Sequence, residues 1–587
     1  MSRIALIISI VIIFGVHFLY SPKWQKSGTE ATISWDVSGY YFYLPAAFIY
    51  KDMKELKWRD HIFEKYKLQP GFSQAFKHEA SGNYVMKYSI GQAVVYSPFF
   101  FIAHAWALNS SQYPVDGFSF PYQFMISMGM LLWTIIGLIY MRKSLLLYFS
   151  ESVTALGILG IVLGSNYLNY VAIDGAMTHN TVFTIYAVLI YLSIRFHKNP
   201  TWGKALGIGA CVGLASLIRP TEIISCLLPI LWGVNLYNKE DLLERIEAFK
   251  KQWLKLLAAV LVTAMIGFIQ LAYWNYASGD WLVYSYEDQG FSWLRPHLFN
   301  GILSYRTGWL VYSPLIVFSL IGFINLFRKN KGIFYPTFIF AMLFIYIAFA
   351  WDIWWYGGSL GQRTMVQAYP ILLFPFCGFI EWTLASRSKW IKIGIGAITV
   401  LFIYANLWFT HQAHLGGILK ISRMQKQYFW KTLFTYEINR NDVKLLDIVD
   451  ELFEGERNNV CTIYHDPAFD KTLDQENQFS GKIKVPHSEF VEPYDWVRVS
   501  ANVYTVQKEW THWKMTQFSV DYKDQDKTIK NQMFRIQNLI DNDQKSRVYL
   551  DLRKSEQAFT DLEILFWNSG SDNPIQITDL KVELFEE

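Results

Sequence analysis

The sequence predicts a polytopic α-helical membrane domain followed by an all-β sandwich, and three observations predict it. Of 587 residues, 52% are hydrophobic and only 17% are charged, where a soluble chain carries about a quarter. The long apolar runs stop near residue 411 and a polar tail follows. Within that tail the apolar pattern changes to short alternating stretches such as Val497-Arg498-Val499-Ser500-Ala501-Asn502-Val503, the period of a strand with one buried face. The net charge of +4 says little, because the basic residues gather at particular loops. Cys211, Cys226 and Cys377 lie in apolar runs and Cys461 stands alone in the tail, so no disulfide framework is expected.

Eleven apolar segments are candidate spans: 3–20, 121–141, 153–171, 179–196, 203–218, 222–237, 254–277, 309–327, 333–351, 366–384 and 390–411. Each approaches the roughly 20 residues that cross a hydrocarbon core. The first reads as a retained anchor, since Ser21-Pro22-Lys23-Trp24 is no small-residue cleavage site. Arg142-Lys143, Arg195 to Lys198, Lys239 to Lys251, Arg328 to Lys331 and Arg387 to Lys392 fall in alternate loops, and that Lys/Arg excess marks the cytoplasmic side. Gly91 to Leu108 is also long enough to span; the charge pattern favours a helix lying in the outer leaflet, and a true span there would reverse every later loop. The expected organisation is a membrane domain over 1–411 with a first outer loop of about 21–120, a helical linker over 412–454, and an outer sandwich over 455–587. The expectation is a multi-pass protein of the inner (cytoplasmic) membrane with its polar loops and its tail on the side opposite the basic loops, facing the periplasm.

Those outer loops carry the residues that can do chemistry. Asp36 lies in Ser34-Trp35-Asp36-Val37-Ser38-Gly39-Tyr40-Tyr41, either as a general base for an acceptor or as a helix cap before Tyr40 to Tyr50. Lys87 enters the apolar 91–108 segment, to hold a lipid phosphate or to anchor the helix by snorkelling. Asp174 and His179 share one short turn, and Arg219 and Glu222 another. A carboxylate and an imidazole can share a proton or a metal, but no HExxH or CxxC spacing supports a metal site. Arg219 and Glu222 either neutralise each other or present a guanidinium fork to phosphate. Glu287, Asp288, Arg295, His297 and Arg306 alternate with aromatics in the loop from Tyr284 to Trp309, as where a sugar and a phosphate are held together. Trp354, Trp355 and Tyr356 precede Gly357-Gly358 and Arg363, more than an ordinary aromatic belt.

With Asp36 early in the first outer loop, this layout resembles the GT-C membrane glycosyltransferases, in the branch of the protein O-mannosyltransferases and the lipid A aminoarabinose transferase. That branch has a Lys-Pro-Pro-Leu element; Lys87-Tyr88-Ser89-Ile90 stands at the corresponding place without the prolines. Arg219-Pro220-Thr221, Arg306 to Pro314 and Trp354 to Arg363 are similar to outer-loop signatures of bacterial members. The resemblance covers about residues 1–411. It implies an inverting transferase whose donor is a sugar on a polyprenyl phosphate and whose acceptor is an extracytoplasmic lipid, glycan or protein. It implies Asp36 as base, Asp174 as the class's second acid, and Lys87, Arg219, Arg306 and Arg363 as donor-phosphate ligands. Tyr40, His179, Glu287, Asp288, Arg295, His297, Trp354, Trp355 and Tyr356 are expected to line the substrate path. No cofactor is certain, though a divalent metal is compatible; beyond the bilayer and the substrates, no nucleic-acid partner is expected.

In the tail, 482–490, 496–506, 515–522, 533–540, 547–552, 562–567 and 575–584 read as strands of a jelly-roll-like sandwich, preceded by an amphipathic piece at 445–452. Trp496, Trp510, Trp513 and Trp567 are either sugar-stacking platforms or core. A transporter or flippase, or a non-catalytic glycan-assembly protein, remains the alternative function; no repeated halves with Gly/Pro-broken spans favour transport.

Overall fold

All eleven apolar segments are helical, although several are broken where the sequence supplies a proline or an extended residue. The computed structural model describes residues 1–448, 452–507 and 509–587, so Val449, Asp450 and Glu451 of the expected amphipathic piece lie outside the described residues. The chain divides into two compact units, Met1–Ser422 and Arg423–Glu587.

In the first unit, six helical segments are long and apolar enough to cross a membrane: Ser2–Gln25, Phe120–Leu145, Trp253–Ser278, Lys331–Ala350, Arg363–Ala385 and Lys389–Gly416. Glu151–Gly164, Trp202–Ile218 and Pro220–Leu231 are shorter apolar helices. Thr178–Lys198 carries polar residues in its first turns, and the 309–327 segment is interrupted at Ser313-Pro314. Gly91–Leu108 forms one 18-residue helix and is not among the six. The breaks have a local cause. A residue before proline is pushed out of the α region, and Arg219, preceding Pro220, takes φ −143° and ψ 114°, ending Trp202–Ile218 and starting a 3-10 turn. Phe120–Leu145, Thr178–Lys198 and Val317–Lys329 end in basic last turns, which suits the negative end of the helix dipole.

The first long loop is folded. Trp35–Tyr41 and Tyr43–Phe48 are short helices, and β1 (Ala75–Lys77) pairs antiparallel with β2 (Tyr84–Met86). The segment after β2 is docked on Trp253–Ser278, where Met86 N donates to the Tyr273 hydroxyl at 2.8 Å and Ile90 N to Gln270 Oε1 at 2.8 Å. Gly91 lets this segment meet the end of Trp202–Ile218, since a Cβ there would lie 2.4 Å from the Ile218 nitrogen.

Among the described residues, the second unit carries a jelly roll of eight antiparallel strands in two sheets. With β3 (Asn458–Leu473), β4 (Ile483–Pro486), β5 (Trp496–Tyr504), β6 (Gln517–Asp524), β7 (Lys527–Arg535), β8 (Ser546–Arg553), β9 (Asp561–Trp567) and β10 (Ile575–Glu586), the orders are β3-β10-β5-β8 and β4-β9-β6-β7. Alternation places Phe518, Val520 and Tyr522 of β6 inside. Three expectations differ, and in the first the expected strand 482–490 is only β4 followed by a 3-10 turn, His487–Glu489. β3 was not expected, because it is an edge strand whose residues are mostly exposed and polar. The expected strand 533–540 is instead the end of β7 followed by a 3-10 turn, Ile536–Asn538, held where Ile536 N donates to the Thr516 carbonyl. Trp496 is core, packed with Phe453 and Phe585, and Trp567 stacks on Phe479. Trp510 and Trp513 are 60% and 57% exposed.

Candidate active site

Asp36 sits in the first turn of Trp35–Tyr41, where Ser34, in extended backbone, is the residue that precedes the helix. The Asp36 side chain is 27% exposed and both of its oxygens are occupied. Arg363 Nη2 donates to Oδ2 at 2.6 Å and the Tyr88 hydroxyl donates to Oδ1 at 2.8 Å. Burial pushes the carboxyl up, but the Arg363 guanidinium, the Tyr88 hydroxyl and the nearby Lys87 ammonium outweigh it and hold Asp36 below its ordinary value. Gly39 makes the Tyr88 position possible: a Cβ at 39 would lie 2.3 Å from the Tyr88 ring. The same ring lies 4.5 Å from that of Tyr40, and Tyr43 donates to the Tyr88 carbonyl at 2.6 Å.

Around this pair stand further cations and an aromatic wall. Lys87 lies 5.6 Å from the centre of the Tyr286 ring, and its carbonyl accepts from Ser285 at 2.7 Å, which ties the loop after Tyr284 to the first loop. Tyr40, Tyr286 and Tyr356 each fall within electrostatic reach of both Arg219 and Arg363. Arg219 Nε is 3.8 Å from Glu222 Oε1. Three cations, Lys87, Arg219 and Arg363, therefore gather about two carboxylates, Asp36 and Glu222. A phosphate ester is the kind of ligand that balances such an excess. His179 is buried, lies against the Tyr170 ring and contacts Gln367.

The other residues expected from sequence have further partners, with Tyr170 in electrostatic reach of both Asp174 and Arg363. Asp174 Oδ1 accepts from Lys23 at 2.6 Å and Oδ2 from Asn169 at 3.1 Å. Burial pushes its carboxyl up, while Lys23, His414 and Asn169 bring it down to about 2. Arg306 donates to the Ser422 carbonyl at 2.7 Å and stacks on Trp355, 4.2 Å from the ring centre. His297 lies near the Trp354 ring. Glu287, with φ at 53°, Asp288 and Arg295 are exposed on the loop. That loop is stitched down by Asp352, which accepts from Gly290 N at 3.0 Å and Ser292 Oγ at 2.7 Å.

Sequence reasoning missed Tyr88 as a partner of Asp36, and Tyr186 and Gln367 as partners of Glu222. The one available signal for Tyr88 was its place beside Lys87. Among the described residues, no group of three or more His, Cys, Asp or Glu side chains converges as a metal site.

No family model matches the chain, and no curated protein matches it. Among solved structures, the Archaeoglobus fulgidus oligosaccharyltransferase in the apo form aligns at 10% identity and a TM-score of 0.42, covering 74% of this chain. The archaeal oligosaccharyltransferase AglB from Archaeoglobus fulgidus, in complex with an inhibitory peptide and a dolichol-phosphate, aligns at 9% identity and a TM-score of 0.38, covering 70% of this chain. The match spans 58% and 55% of the length of those two archaeal chains.

Proposed function

We propose that this protein is a membrane glycosyltransferase that moves a sugar from a polyprenyl-phosphate donor to an extracytoplasmic lipid, glycan or protein. The observation that carries the reading is the carboxylate of Asp36 set among Arg363, Arg219 and Lys87 beside an aromatic wall. In this scheme the acceptor oxygen or nitrogen attacks the anomeric carbon, the bond from that carbon to the phosphate oxygen breaks, and the acceptor proton passes to Asp36. The cations stabilise the charge that grows on the leaving phosphate.

The ion pair gives the scheme an order. Paired with Arg363, Asp36 is a weak base; a donor phosphate gives Arg363 a second anion and frees carboxylate for the acceptor. In this reading the site faces outward across the membrane, and the basic residues gathered in alternate loops support that side. Asp174 serves in this reading to hold Lys23 and the start of the first loop.

The test is transfer of labelled sugar from membrane polyprenyl-phosphate donors by purified wild type and Asp36→Asn, with the fold of both checked. Transfer by the wild type and its loss in the variant are expected. Equal transfer by both would remove Asp36 from the chemistry. Phosphate-dependent lipid binding with no transfer, across a broad donor and acceptor screen, would favour a flippase.

A further inference from the structure

Behind Arg219 lies a polar network that the chemistry above does not use. Glu222 is 2% exposed. Its Oε2 accepts from the Tyr186 hydroxyl, and its Oε1 accepts from Gln367 Nε2 at 2.9 Å and faces Arg219 Nε at 3.8 Å. A carboxylate only accepts, so Gln367 turns its amide nitrogen to Glu222 and its oxygen to His179 Nδ1, 3.3 Å away, which puts the imidazole proton on Nδ1. Glu222 and Arg219 share one turn, while Gln367 and Arg363 share the 3-10 turn Arg363–Ala368. A continuous chain of contacts thus runs Arg219–Glu222–Gln367, and through one turn of backbone to Arg363 and Asp36.

We propose that Glu222 is a positioning residue which, with Tyr186 and Gln367, holds Arg219 in register with Arg363 so that the two guanidiniums form one phosphate subsite. The proposal rests on the reading of this cluster as a donor-phosphate site. A buried carboxylate needs its remaining lone pairs satisfied, and what goes beyond that need here is that the donor, Gln367, sits on the same short turn as Arg363. Glu222→Gln removes the counter-charge and sets an amide nitrogen against either the Tyr186 hydroxyl or Gln367 Nε2, so one of the two must turn and the hold on Arg219 weakens.

The test measures binding of a long-chain polyprenyl phosphate, with the uncharged polyprenol as control, to the full-length protein in nanodiscs. Glu222→Gln should weaken phosphate binding about tenfold, Arg219→Gln at least as much, and the double variant no more than Arg219→Gln alone, because two residues acting as a unit are not additive. Wild-type affinity in Glu222→Gln, or a loss that adds in full to that of Arg219→Gln, would overturn the positioning role. Wild-type affinity in Arg219→Gln would instead sink the phosphate-site reading, and the proposal with it. Should Glu222→Gln not fold, Tyr186→Phe keeps the ring and loses one donor; about threefold weaker binding is expected, and unchanged affinity would count against the proposal.

Discussion

Asp36 and Asp174 look alike at first: each accepts from a basic side chain at 2.6 Å, from Arg363 and from Lys23 respectively, and each takes a second, neutral donor on its other oxygen. Their surroundings differ. Asp174 and Lys23 face each other with Asn169 behind, and Asn169 in turn contacts His414 at 2.5 Å. Charge there is balanced two to two, Lys23 and Lys26 against Asp174 and Glu30. Around Asp36 and Glu222 the balance fails, with three cations, Arg363, Arg219 and Lys87, against two carboxylates, and with Tyr40, Tyr286 and Tyr356 forming a wall. An ion pair in balance holds structure, whereas unbalanced cations beside a carboxylate leave room for an anion. In the proposed reading, that contrast gives the chemistry to Asp36 and the attachment of the first loop to Asp174.

The largest expected effect breaks the comparison most directly. Asp36→Asn should lower transfer by roughly 10²- to 10⁴-fold, the usual range for loss of a general base, while Asp174→Asn should stay within a few-fold of wild type. Abolished transfer in a well-folded Asp174→Asn would make Asp174 a catalytic partner and end the contrast.

Next comes Arg363→Gln. It removes a phosphate ligand and the cation that holds Asp36 low, so donor KM should rise about tenfold or more. The pH profile moves as well. Activity needs the carboxylate and is lost as pH falls through the Asp36 value, which in the wild type lies below the ordinary range near 4. Without Arg363 that acid limb should shift upward; a limb that stays in place would show that Arg363 does not control the base.

The Lys23–Asp174 pair should appear in stability instead. Asp174 sits at about 2 when folded, below the roughly 3.9 of an unfolded aspartate. Its contribution is therefore complete above about pH 4 and is lost as pH falls toward 2. Asp174→Asn should remove that acid dependence and, by loosening the hold on Lys23, cost roughly 2 kcal/mol in thermal or denaturant unfolding.

The parts of the molecule that were legible in the sequence are those where one stretch of chain carries the signal. Apolar runs gave helix at every expected segment, and alternation in 496–504 and 562–567 marked two strands. Asp36 stood out because a carboxylate among aromatics is costly near a membrane. What was not legible depends on distant partners. Arg363 meets Asp36 across 327 positions, and Gln367 meets Glu222 across 145. Tyr88 and Tyr186 resemble interfacial or core tyrosines until those partners are known. Arg306 and Arg363 look equivalent in sequence, yet Arg306 is engaged by Ser422 and Trp355 because its loop packs there. β3 escaped notice for the same kind of reason: it earns its place by pairing with β10, not by burying a face of its own.

The finest test uses matched deletions. Tyr88→Phe and Asn169→Ala each remove the neutral donor from the second oxygen of one carboxylate. A hydrogen bond to a charged group contributes about 1.5 to 3 kcal/mol, less where solvent can replace the donor. If Asp36 is the base, loss of the Tyr88 hydroxyl frees an oxygen and loosens its aim, so kcat should fall about tenfold or less with donor KM little changed and the acid limb moved up. If Asp174 only holds the first loop, Asn169→Ala should lower the unfolding midpoint by about 1 kcal/mol and leave kcat and KM at wild-type values. A kinetic effect from Asn169→Ala as large as that from Tyr88→Phe would mean that both carboxylates belong to one site, and that balance of charge alone does not separate them.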